Sequence, residues 1–317
     1  MINSSLKSIV SLFAVAAVSA GHAAVISQTN LNPGAAVGWN DASVWGGNAV
    51  IADNEYTSGS GSTGAVVFAA GGTNWNVFAT VRDVGSSTFN GGSLIMNSGG
   101  RLLMKGATGG GATSNANIVL NGGFIQAAPN QGGTANLGGA INAQGALNAI
   151  GTNPFSGTTL TFNINSTITG SGTIQLVNSG EAGGSRTSHL NIAGDISLFT
   201  GKFYLSSSTV NTNIAAASDF SILNSAPLAT LEMATSTTNF HFNLNSNITF
   251  ASVIIGGQTL APGVYDFAAL DGIAAGKFFN AGGTITVIPE PSVSMLCGAG
   301  LGVIGLAYAR RGRRATR

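Results

Sequence analysis

Charge is scarce in this 317-residue sequence: only 7% of its residues are Asp, Glu, Lys or Arg, against about a quarter in ordinary soluble chains. Cys297 is the only cysteine, which excludes an internal disulfide framework and any paired thiol chemistry. Histidine occurs three times, at His22, His189 and His241, too few for a His-rich metal centre. Low charge combined with 44% hydrophobic residues also excludes intrinsic disorder, which needs low hydrophobicity and high net charge. What is abundant is glycine, with 47 residues, roughly twice the usual share of about 7%. The length suffices for one large core or two modest ones.

The beginning of the sequence reads as a secretory signal. Residues 1–8 carry one cation, Lys7, the ten-residue run 9–18 is apolar, and Gly21 and Ala23 are the small residues a signal peptidase reads. Cleavage is expected after Ala23. A helix of that run is about 15 Å long, short of a hydrocarbon core of about 30 Å.

Near the other end, Pro289, Glu290 and Pro291 precede an uncharged run over residues 292–309, followed by Arg310, Arg311, Arg313, Arg314 and Arg317. A helix over that run reaches about 27 Å, enough for one membrane crossing. The arginine cluster places this end in the cytoplasm and the preceding body across the membrane. The two prolines keep the motif extended and open to a protease. Gly298 and Gly302 form a GxxxG pair suited to helix packing.

This arrangement over residues 289–317 resembles the PEP-CTERM sorting signal of Gram-negative bacteria, in which a Pro-Glu-Pro motif, one helix and a basic tail occur in that order. The resemblance implies processing by exosortase, a membrane-embedded enzyme that releases the body or transfers it to the cell surface or the extracellular polymer matrix. It makes Pro289, Glu290 and Pro291 the recognition motif and Arg310, Arg311, Arg313 and Arg314 the membrane stop. The partners implied are signal peptidase, the exosortase-type enzyme and, transiently, the inner membrane, with extracellular polysaccharide as a further candidate.

Between the two signals, residues 24–288 carry six cations (Arg82, Arg101, Lys105, Arg186, Lys202 and Lys277) and ten acids, so the formal +1 of the whole chain conceals a body near −4. No basic patch for nucleic acid is present. The body reads as strands throughout. Leu160, Phe162, Ile164 and Ile168 alternate with Thr161, Asn163, Asn165 and Thr167, the period-2 pattern of a half-buried strand.

That phrase returns. Residues 162–169, FNINSTIT, and 242–249, FNLNSNIT, agree at six of eight positions and lie eighty residues apart, room for three or four turns of a coil of short strands. Smaller units also recur: LIMNSGG from Leu94 is followed 24 residues later by IVLNGG from Ile118. Asn-Gly-Gly punctuation is turn chemistry, because Gly takes positive φ without steric cost and Asn tolerates it.

An all-β fold follows, for which a parallel β-solenoid is the preferred architecture and an antiparallel sandwich the alternative. Repeats of roughly 20 to 30 residues and Asn residues able to ladder between rungs favour the solenoid. GSGTIQL from Gly170 and GDISLFTGKFYL from Gly194 also resemble the strand repeats of autotransporter passenger domains. Residues 24–85 are expected to cap the coil at its start and 251–288 at its end. Trp39, Trp45 and Trp75 read as packing within the first cap, with sugar stacking as the competing use.

Candidate chemistry is sparse. Ser188, His189 and Asp195 supply the residue types of a nucleophilic triad without the context that orients one. His241, between Phe240 and Phe242, is expected on the polar face of a strand. Asp53 and Glu55, with Asp41, could share a calcium ion. Glu181 and Arg186 read as a solvated loop. The stretch 59–64, GSGSTG, fits G-x-G-x-x-G but follows a polar segment and precedes a strand pattern, so it reads as a loop. No catalytic residue, cofactor or metal ligand is assigned. The expectation is a non-catalytic exported protein, structural or adhesive, at the surface or in the extracellular matrix; a polysaccharide-acting lyase or glycosidase, or a carbohydrate-binding module, is the alternative.

Overall fold

The computed structural model describes residues 23–31, 37–59, 79–83, 85–105, 112–128, 132–153, 158–178, 187–205, 218–235, 240–279 and 282–289. The first strands are β1 (Val25–Ser27), β2 (Glu55–Ser58), β3 (Ala79–Asp83), β4 (Ser93–Asn97), β5 (Gly100–Met104), β6 (Ala112–Asn121), β7 (Phe124–Ala127) and β8 (Gly133–Ala143). There follow β9 (Asn148–Thr152), β10 (Thr159–Ile164), β11 (Thr167–Gly170), β12 (Thr173–Asn178), β13 (Thr187–Ile192), β14 (Lys202–Leu205) and β15 (Ser218–Ile222). The last are β16 (Ala226–Met233), β17 (Phe240–Asn243), β18 (Ile248–Ile255), β19 (Gln258–Thr259), β20 (Gly263–Tyr265), β21 (Phe278–Phe279) and β22 (Ile285–Val287), with one short helix, α1 (Phe267–Ile273), after β20.

These strands form two sheets that the chain visits in turn. The first runs β1-β2-β4-β6-β8-β10-β13-β15-β17-β21, with β11 also on β8; the second runs β3-β5-β7-β9-β12-β14-β16-β18-β22-β20, with β19 on β18. Pairing between successive coils is parallel. The body is therefore a parallel β-solenoid, and the antiparallel sandwich is set aside. Among the described strands antiparallel pairing joins only β19 to β18 and β20 to β22, and one isolated antiparallel bridge links Asn97 to Gly122.

Register explains why the sequence repeats. Leu94, Ile118, Ile141 and Ile168 stand in one column of the first sheet, all buried. Facing them, Val81, Leu102, Ile125, Ile150, Leu176, Leu205, Met233 and Ile255 form one column of the second, also buried. Each such side chain contributes about 1.5–3 kcal/mol when fully buried, and no disulfide substitutes for that packing. Because like stacks on like, the apolar positions need only recur once per coil.

The corner is turned by glycine in one coil and by polar residues in the next. The first half of β8 pairs with β10 and its second half with β11. Between the halves Gly139 adopts φ +90, and a Cβ there would run into the carbonyl oxygen of Ala116. In the following coil Asn165 and Ser166 lie at the same corner, where Ser166 Oγ donates to Leu137 O at 3.1 Å.

Aromatic and helical residues pack at the two ends of the described coil. At the start, Trp39, Trp45, Tyr56 and Phe89 form an aromatic box with ring centroids 5.0–6.4 Å apart. Trp45 Nε1 donates to Trp39 O at 2.8 Å, so the indoles bury without losing their polar handle. At the end, Asp266 caps α1 by accepting from Ala269 N at 2.9 Å, and Leu270 of α1 is buried against the core. No helix among the described residues is long and apolar enough to cross a membrane; the run 292–309 lies outside them.

Candidate functional site

The outward face of the first sheet carries ladders of hydrogen-bonded polar side chains. Strand alternation puts Leu160, Phe162 and Ile164 inside and leaves Thr161 and Asn163 on the other side. Stacking then produces side-chain ladders. Asn191 Nδ2 donates to Asn163 Oδ1 at 2.8 Å, Asn163 Nδ2 to Asn136 Oδ1 at 2.9 Å, and Asn136 Nδ2 to Thr113 Oγ1 at 3.3 Å. A second ladder joins Asn121 to Asn97 at 3.0 Å and Asn97 to Thr57 at 2.7 Å. Within the ladders Asn163, Asn136 and Asn97 each donate to one neighbour and accept from the other.

Two residues along from the Asn163 column lies a second one that sequence reading did not assemble: His189, Asp219 and His241 are direct lateral neighbours on β13, β15 and β17. His189 Nδ1 lies 3.2 Å from Asp219 Oδ2 and His241 Nδ1 lies 3.1 Å from Asp219 Oδ1. A carboxylate accepts from N–H groups, so each imidazole can donate to Asp219 through its Nδ1. His241 also stacks on Phe279 at 3.9 Å between centroids. Two strand spacings, about 9.6 Å, separate the histidine backbones. Among the described residues no group of three or more His, Cys, Asp or Glu side chains is placed to hold a metal ion. A signal for this column was present in the sequence: TFNI from Thr161, HLNI from His189, DFSI from Asp219 and HFNL from His241 are one four-residue phrase.

The other candidate residues separate. Ser188 is buried and its Oγ accepts from Asn178 Nδ2 at 3.0 Å, whereas His189 points outward and Asp195 accepts from Ser197 N at 2.9 Å. Adjacent strand residues face opposite sides, so these three cannot act as a triad. Asp41 caps the turn at Ala42–Trp45, and that bond to Ser43 N holds its carboxyl below the usual range. Glu55 instead accepts from Ser93 Oγ at 3.4 Å and Asp53 is exposed; the suggested calcium group is not assembled. Trp39 and Trp45 are buried and unavailable for sugar stacking. Gly59 is described, with φ +84; Gly64, Trp75, Glu181 and Arg186 lie outside the described residues.

The two buried charged residues among those described, Asp83 and Arg101, lie near the start of the coil. Asp83 is 1% exposed and accepts from Ser87 Oγ at 2.8 Å, from Gly85 N at 3.4 Å and from Ser114 Oγ. Burial pushes its carboxyl up, against those hydrogen bonds. Trp39 Nε1 donates to Ser87 Oγ at 2.8 Å, which ties the aromatic box to this carboxylate. On the opposite side of the second sheet, Arg101 donates to Thr80 Oγ1 from Nε at 3.2 Å and from Nη2 at 2.9 Å. Burial first, and then neighbouring Arg82, push its guanidinium down to about 10.

Of the processing residues, Ala23 and Pro289 are described and exposed. Ala24 N donates to Asn54 Oδ1 at 3.2 Å, Ala24 O accepts from Glu55 N at 2.9 Å, and Ile288 N donates to Phe250 O at 3.1 Å. Among the described residues, backbone pairing thus reaches Ala24, just after the expected signal-peptidase cut, and Ile288, just before Pro289. Glu290, Pro291, Gly298, Gly302, Arg310, Arg311, Arg313 and Arg314 lie outside the described residues. No protein family, no curated protein and no solved structure matches the sequence.

Proposed function

We propose that this chain is an exported, non-catalytic protein of the cell surface or extracellular matrix, structural or adhesive in role. Signal peptidase removes residues 1–23. Residues 292–309 cross the inner membrane once, with Gly298 and Gly302 on the packing side and Arg310, Arg311, Arg313 and Arg314 as the stop. An exosortase-type enzyme reads Pro289, Glu290 and Pro291 and frees the body, in contact with extracellular polysaccharide and without nucleic acid or cofactor.

The observation that carries this reading is the succession of Pro-Glu-Pro motif, apolar run and arginine cluster in one chain with a secretory signal. The fold agrees with it. A body whose ladder spans Ala24 to Ile288 retains its described packing when both signals are removed. Its outward ladders of Asn and Thr suit lateral contact with hydroxyl-rich polymers. A polysaccharide-cleaving enzyme would need convergent carboxylates, whereas Asp41 and Asp195 cap turns, Asp83 is buried and Asp219 is engaged by two imidazoles.

Intact-mass spectrometry of protein recovered from the cell surface and the medium tests the proposal. A mature form starting at Ala24 and ending between Pro289 and Pro291 is expected. Recovery of a form that still holds Arg317 would overturn the processing assignment.

A further inference from the structure

The processing motif has no slack on its body side. β22 is an interior strand, paired in parallel with β18 through Ile248↔Ile285, Thr249↔Thr286 and Phe250↔Val287, and antiparallel with β20 through Gly263↔Val287, Val264↔Thr286 and Tyr265↔Ile285. Ile285 is fully buried and Val287 is 4% exposed. Ile288 N still donates to Phe250 O at 3.1 Å, so the last ladder bond stands immediately before Pro289. On the other side the apolar run starts at residue 292, which leaves three residues, a reach of at most about 10 Å, between Ile288 and that run.

Enzymes that cut a peptide hold it extended and pair with its main chain on both sides of the cut bond. Here the main chain on the body side of the motif is already taken by β18 and β20. We propose that β22 is a clasp on the body side of the processing motif: it must leave its ladder before the chain can be cut, so its opening sets the rate of release from the membrane. The inference rests on the processing reading above. In the cut itself one peptide bond near the motif breaks, the carbonyl carbon passing to water or an acceptor nucleophile and the freed nitrogen taking up the proton. Before docking of β22, or during a local opening, three to four residues become available. The cleavage rate then follows the open population of β22.

The geometry supplies its own lock. Val264 and Thr286 are directly opposed across β20 and β22, with Val264 68% exposed, so a cystine there staples the two strands at little cost to the core. The experiment is a pulse-chase of the full-length chain in exporting cells that contain the processing enzyme, with Cys297→Ser as background. The paired change Val264→Cys with Thr286→Cys is expected to slow processing about tenfold or more, and reductant is expected to restore it. Ile285→Ala is expected to accelerate it by a similar factor, as truncation of a buried isoleucine would. Six Gly/Ser residues inserted between Ile288 and Pro289 are expected to make the staple irrelevant, which separates clasping from misfolding. Cleavage of the stapled chain at the unstapled rate would overturn the clasp and leave the processing reading intact. Retention of Arg317 in both the unaltered and the linker-bearing chain would end both.

Discussion

Phe162 and Phe242 occupy the same core column three register steps apart, linked through Leu190 and Phe220 and fully buried at both positions. Three spacings put them about 14 Å apart, beyond direct contact. Each substitution to alanine is therefore expected to cost about 3–5 kcal/mol, and the double variant to cost their sum within about 0.5 kcal/mol. Urea unfolding of the single and double variants measures this. A coupling above about 1 kcal/mol would show that the stack does not behave as nearest-neighbour layers.

Buried and exposed asparagines differ in what they hold. Asn148 is 1% exposed and touches three coils: Oδ1 accepts from Gly122 N at 2.8 Å, while Nδ2 donates to Gly145 O and Thr173 O, both at 3.1 Å. Asn163 sits on the wet face with two ladder bonds. Asn148→Ala strands three half-buried backbone groups and is expected to cost about 3 kcal/mol, whereas water replaces the lost partners in Asn163→Ala at about 1 kcal/mol. Equal costs in thermal unfolding would contradict the assignment of Asn148 as the internal clip.

The fold was largely legible because a solenoid writes its register into sequence. The 24-residue offset between LIMNSGG and IVLNGG is the observed pairing Leu94↔Ile118 and Asn97↔Asn121, and the eighty-residue echo is the Phe162 column. The His189, Asp219 and His241 column was not assembled, since its coils differ in length: partners are 30 residues apart for His189 and Asp219 but 22 for Asp219 and His241. Period searching misses such drift, while aligning the four-residue phrase absorbs it. Asp83 was hidden for another reason. Its burial depends on Ser114 and Ser87, brought together by the coil and not by local pattern.

Two glycines with similar backbone separate conformational strain from steric contact. Gly139 has φ +90 and a Cβ there meets Ala116 O, whereas Gly257 has φ +83 and meets nothing within 4 Å. Gly257→Ala is expected to cost about 1 kcal/mol, the strain of a left-handed alanine alone. Gly139→Ala adds a backbone collision at the coil corner and is expected to cost at least twice as much. Denaturant midpoints of the two variants decide it, and a smaller loss at Gly139 would mean that the corner shifts freely.

Asp83 gives the stability a pH dependence opposite in sign to ordinary acid denaturation. Burial raises its folded pKa above the ordinary carboxylate value, with bonds from Ser114, Ser87 and Gly85 acting against that rise. The folded state then binds the proton more tightly than the unfolded chain, so this group's contribution to stability grows as pH falls through the folded pKa. It is fully present below about 3.8 and lost as pH rises. Other carboxylates act the other way, Asp41 and Asp195 having lowered values from their turn-capping bonds, so the whole-protein curve mixes both. Asp83→Asn isolates this contribution. Its amide keeps an acceptor for Ser87 or Ser114 without the buried charge. The variant is expected to gain on the wild type in urea at pH 7, and the gap is expected to close near pH 3.8. A gap that widens on acidification would show that the three hydrogen bonds outweigh burial at this carboxylate.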